Sequence, residues 1–306
     1  MNTLKLRTRN SAKRAFTLIE IMVATVIMIV LVGLVIQITS EVLKVWTRSS
    51  GKLSANAEAR IAMDLITQDL ETAVFRNNGQ QWLRVEAPKD TEEGGNSLYT
   101  DQTVSLKLFS PALDRPKEDA SGVAIPGDIC AIGYRLAYKK SYKGTNAPEV
   151  YALYRRVIDP QKTFDDYMGS GNSGPQLALT DETLWADFGD GSITDDNNYL
   201  AGNIIEFKIL IYEQPATAGA AVVPSNATLG GQLESGSDYA YGGDADTDAA
   251  VSTRQLLYAD IILTVVSDQG LEMLNNLDKI AESVNDVVLQ HGETFTRRVN
   301  FMAHPL

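Results

Sequence analysis

The chain has 306 residues, 44% hydrophobic and 22% charged, enough apolar material for one large folded unit or two small ones and too much for wholesale disorder. Its net charge is −12, and Lys5, Arg7, Arg9, Lys13 and Arg14 are gathered ahead of residue 16, so the rest of the chain is more acidic still. An acidic body excludes general nucleic-acid binding, which draws on cations for phosphates, and a single cysteine, Cys130, excludes an intrachain disulfide.

Residues 1–15 are basic and polar. Residues 16–38, "FTLIEIMVATVIMIVLVGLVIQI", then form a mostly apolar stretch, nearly unbroken from Ile21 to Ile36 apart from Thr25. At 1.5 Å per helical residue this stretch crosses a hydrocarbon layer of about 30 Å. The cations ahead of it favour a cytoplasmic N-terminus and place the body on the far side. A cleaved secretory signal fits poorly, because "VIQITSEVLKVW" offers no small-x-small site. A plain anchor explains the length but not Glu20, since a carboxylate in hydrocarbon costs at least a few kcal/mol. Taken alone, Glu20 reads as a side chain snorkelling to the nearby interface.

Further along, residues 41–75 contain no proline and one glycine, Gly51. Leu53, Ala57, Ile61 and Leu65, with Ile66, Leu70 and Val74 a little round the surface, recur at helical spacing. The pattern predicts an amphipathic helix whose apolar stripe packs on a domain, with Glu58, Arg60, Asp64, Asp69 and Glu71 on the other face. "RNNGQQ" at 76–81 ends it. Strand-like alternation follows at 103–110, 128–138, 149–159, 203–213 and 257–267, with 139–148 as a hairpin loop. The segment 214–250 is low in large apolar residues and reads as a mobile or functional insertion. Leu274, Leu277, Ile280, Val284, Val287 and Val288 predict a second amphipathic helix, and "ETFTRRVNFMA" a last strand.

The string "KRAFTLIEIMVATVIMIVLVGLV" resembles the N-terminus of the type IV pilin and type II secretion pseudopilin superfamily. The resemblance implies cleavage by a prepilin peptidase between Ala15 and Phe16, and N-methylation of Phe16. Ala15 stands where the family usually has glycine. It also gives Glu20 a filament-assembly role, pairing with the freed amino group of a neighbouring subunit's first residue. A buried carboxylate is tolerated when a cation meets it, so the desolvation penalty becomes a register signal. The body, through "MDLITQDLETAVFR", "YALYRRV", "GNIIEFKILIYE" and "YADIILTVV", resembles the large J-type minor pseudopilin. The added helix before "FTRRV" is similar to a set of verrucomicrobial pilin-like cassette proteins.

Catalytic signatures are absent from the sequence: there is no G-x-S-x-G, H-E-x-x-H, P-loop or C-x-x-C, and the two histidines, His291 and His304, sit near the C-terminus. Asp244, Asp246 and Asp248 alternate as oxygen ligands for calcium do, joined by Asp187, Asp190, Asp195 and Asp196. The position where a twelve-residue calcium loop ends in glutamate is Gln255, and a solvated acidic loop is the simpler reading. Tyr239 and Tyr241 read either as an exposed contact patch or, more simply, as the segment packing on its own domain.

The expectation is therefore an α+β protein. It has a leader at 1–15, a transmembrane helix at 16–40, an amphipathic continuation at 41–76, and an extracytoplasmic head at 77–306 built on antiparallel sheet, with long loops, the 214–250 insertion and an extra C-terminal helix. The expected function is a non-enzymatic minor pilin or pseudopilin subunit near a filament tip. It crosses the inner membrane once, and its partners are the prepilin peptidase, other pilin-type subunits and lipid, with no nucleic acid and no cofactor beyond the calcium just weighed. A membrane-anchored binding protein or enzyme, or an adhesin-like pilin using the 214–250 loop, are the other readings.

Overall fold

A computed structural model describes residues 17–75, 81–86, 104–112, 117–118, 124–125, 129–140, 149–167, 193, 195–225, 238–242, 249–276 and 283–301. The chain divides into two compact units, residues 1–50 and 51–306. Helix α1, Leu18–Glu71, contributes to both. In the first unit every described side chain is exposed, and the apolar part of α1 is long enough to cross a membrane.

The second unit is an α+β head. Its strands in chain order are β1 (Leu83–Glu86), β2 (Ser105–Ser110), β3 (Lys117–Glu118), β4 (Ala124–Ile125), β5 (Cys130–Lys140), β6 (Glu149–Val157), β7 (Tyr199–Gly202), β8 (Ile204–Glu213), β9 (Asp238–Tyr241), β10 (Ala249–Ser252), β11 (Leu256–Val266) and β12 (Gly292–Asn300). Two short helices, α2 (Asp268–Leu274) and α3 (Val284–His291), stand between β11 and β12. One sheet has the order β10-β9-β1-β2-β5-β6-β7 and a second the order β12-β11-β8, while β3 and β4 pair by themselves. All pairings are antiparallel except β9 with β10.

The expected hairpin is present: Lys140 pairs with Glu149 and Ile132 with Val157. Strand β8 alternates buried and half-buried residues along its length, the pattern of a sheet with one face on the core. A single residue, Asn203, carries the chain from β7 in the large sheet to β8 in the small one. Its φ of 59° lies in the left-handed region, which asparagine tolerates better than most residues. Its carbonyl accepts from the Val266 N–H at 2.9 Å, and its side-chain amide donates to Asp268.

The last turns of α1 bury Ile66 and Leu70, as expected, together with Ala55, Ala59, Ala62 and Met63, so the buried face is rotated away from the Leu53–Ala57–Ile61 part of the expected stripe. Leu53 and Ile61, predicted to pack, are 67% and 57% exposed. The alanines explain the rotation, because small side chains let the helix backbone approach the sheets closely, and Ala55 and Ala59 meet Val265 and Phe295. Size-weighted periodicity follows the bulky residues and misses such a face. Asp69, expected among the solvated residues, is also buried, because β5 and β6 supply its partners. Arg155 donates to it through Nε at 2.8 Å and through the second guanidinium nitrogen at 3.1 Å, and the Tyr134 hydroxyl donates as well.

Two further expectations change. The C-terminal helix is two helices, α2 capped by Ser267 and α3 opened by a capping box between Ser283 and Asp286. Each starts on its own N-cap serine, so the apolar spacing counted across 274–288 joins separate elements; Leu277 and Ile280 lie outside the described residues. The 214–250 segment contributes strand β9 and the start of β10, with β9 adding to β1 beside Trp82 and the core.

Strand β12 ends the small sheet. The Phe301 N–H donates to the Leu257 carbonyl at 3.2 Å, so odd-numbered residues of β12 bond to β11. Antiparallel pairs alternate, which turns the backbone groups of Thr294, Thr296, Arg298 and Asn300 the other way.

Candidate functional site

The N-terminus of α1 is the site to examine, and local chemistry explains where the helix starts. Its first N–H groups have no carbonyl partner within the helix, and an apolar surrounding offers no water to replace one. Thr17 is the residue ahead of the first helical position. Its hydroxyl oxygen accepts from the Glu20 N–H at 3.3 Å, while its own N–H and O–H both donate to Glu20 Oε2 at 2.9 Å. This reciprocal arrangement is a capping box. The sequence signal for it is Thr17-x-x-Glu20, and it gives Glu20 a partner in its own chain that neither snorkelling nor an intersubunit contact supplies. A carboxylate in the first turn also meets the positive end of the helix dipole. Both donors converge on Oε2, so among the described residues Oε1 accepts from no protein group.

Beyond the cap the helix is apolar from Ile21 through Ile36 except for Thr25, and the hydroxyls of Thr25 and, past that run, Thr39 fold back on their own backbone. Thr25 donates to the Met22 carbonyl and Thr39 to the Val35 carbonyl, each at 2.8 Å. Such bonds let a hydroxyl sit in an apolar helix without an outside partner. Ala15 and Phe16, the residues of the expected cleavage and methylation, lie outside the described residues.

In the head, the other candidates take structural places. Tyr239 and Tyr241 are each 1% exposed, so the contact-patch reading gives way to packing. Tyr241 meets Phe75 edge-on, with ring centroids 5.3 Å apart. The Tyr239 hydroxyl donates to Glu213 at 2.5 Å, and burial, then the Glu213 charge, push that hydroxyl far above its ordinary range. Glu213 also accepts from the Ser225 hydroxyl and pairs with Arg254, each at 3.0 Å. Burial raises the Tyr134 hydroxyl well above its usual value and the Asp69 charge adds to this, with Arg155 acting in opposition.

Asp244, Asp246 and Asp248 lie outside the described residues, as do Asp187, Asp190 and His304. Asp195 caps a short helical turn by accepting from the Asn197 N–H at 3.0 Å. Among the described residues no group of three or more His, Cys, Asp or Glu side chains converges as a metal site would require. Cys130 is buried in β5, as its strand-like neighbours suggested, and His291 is buried at the end of α3.

Residues 10–36 match the family described as "Prokaryotic N-terminal methylation motif". The matched span takes in the expected cleavage point, the capping box and most of the apolar helix. No curated protein and no solved structure matches the chain. The chain thus carries a prepilin-type N-terminal motif on an apolar helix that runs on into an α+β head.

Proposed function

We propose that this protein is a minor pilin or pseudopilin subunit that works by assembly rather than catalysis. The observation that carries the reading is the methylation motif at residues 10–36, coinciding with a capped apolar helix that begins at Leu18. The chain is inserted in the inner membrane with its leader in the cytoplasm and its head on the other side. A prepilin peptidase cuts between Ala15 and Phe16, and the new Phe16 amino group is methylated. α1 then joins the helices of neighbouring pilin-type subunits.

Glu20 has two partners in this scheme. Oε2 accepts from Thr17 of its own chain, and Oε1 is left for the freed ammonium of a neighbouring subunit's first residue. A carboxylate has about four acceptor positions, so one role does not exclude the other. A head of this size, with a nine-residue final strand and the 214–250 segment, suits a minor position near a tip better than a closely repeated shaft, by steric argument.

The test is the mass of the N-terminal peptide after membrane extraction. The expected result is a peptide beginning at Phe16 and carrying one added methyl group. A mature chain that still begins at Met1 overturns the reading and favours a protein using the span only as an anchor.

A further inference from the structure

We draw no further inference here: the strongest candidate, the outer edge of β12 in the three-stranded sheet, where Thr294, Thr296, Arg298 and Asn300 turn their backbone groups away from β11 and the Arg298 guanidinium lies 3.9 Å over the Tyr258 ring, is an unpartnered edge, and nothing among the described residues shows what covers it.

Discussion

Two carboxylates on α1, Glu20 and Asp69, sit where a solvated acid would not, and each is accounted for by the donors around it. At Glu20 the donors are Thr17 N–H and O–H. Glu20→Ala removes the cap and the charge together, whereas Thr17→Val removes the hydroxyl and keeps the charge. A lost cap costs about 1 kcal/mol of helix stability. On the proposed function, Glu20→Ala inserts in the membrane but is recovered from sheared filaments at much reduced yield, and Thr17→Val retains most of its incorporation. Equal loss in both variants, read by immunoblot of filament and membrane fractions, would assign the effect to the cap alone. At Asp69 the partners are Arg155 and Tyr134, all three buried. Asp69→Ala leaves the guanidinium buried without its counter-charge, a loss of about 3–5 kcal/mol. Urea unfolding of the detergent-extracted chain, followed by tryptophan fluorescence, should show that loss. Replacing both partners, as Asp69→Leu with Arg155→Met, should recover much of it, since an apolar pair of similar volume imposes no desolvation of charge.

The elements differ in how much of them the sequence revealed, and particular strands show why. β8 and β11 were legible because both are long: β8 alternates along nearly all of its length, and β11 alternates from Tyr258 to Leu263 before a fully buried end. β1 and β9 were not: each has only four residues, too few for a period to stand out, and each is held by neighbours distant in sequence. The helix face of α1 is legible only in part: Ile66 and Leu70 pack as their spacing predicts, but Ala55, Ala59 and Ala62 make the rest of the contact with Met63, and the value of alanine there lies in smallness rather than in apolar area. The cap at Thr17 was fully written in four residues, whereas Asp69 needed the sheet to reveal its partner. β1 also carries one acid-sensitive contact of the head. Its Glu86 accepts from Lys107 of β2 and from Arg84, each at 2.9 Å. Burial pushes the Glu86 carboxyl up, but the two cations outweigh it and hold it below its ordinary value. A depressed carboxyl stabilises the fold above its unfolded pKa of about 4.3, and that contribution is lost as pH falls through the lower folded value. Glu86→Gln should therefore lower the urea midpoint at pH 7 and make much less difference at pH 3. An equal difference at both values would mean that the ion pairs at Glu86 contribute nothing to the pH dependence.

At the scale of the whole molecule, the head is closed by segments far apart in sequence: one face of residues 55–70 of α1 is buried in it, and β12 completes its small sheet. The long 214–250 segment is tied to that closure at its base. Ser225 and Tyr239, fourteen positions apart, donate to the same Glu213 side chain, and Arg254 pairs with it from beyond β10. The Ser225 N–H also donates to the Ile211 carbonyl at 2.7 Å, and β9 is hydrogen-bonded to β1. Both ends of residues 226–237 are therefore fixed near one buried carboxylate, which separates the folding role of the segment's base from whatever its middle does. A six-residue glycine–serine linker reaches about 20 Å at ~3.3 Å per residue, enough to join two groups that share a hydrogen-bond acceptor. Replacing residues 226–237 by such a linker should leave the thermal midpoint nearly unchanged, because loop-closure entropy varies only slowly with length. Glu213→Ala should lower it by several degrees, since it leaves Tyr239 without its buried acceptor and Arg254 without its counter-charge. If the shortened chain is stable but loses incorporation into filaments, the middle of the segment serves contact with other subunits. If it is destabilised as much as Glu213→Ala, the segment is part of the fold itself.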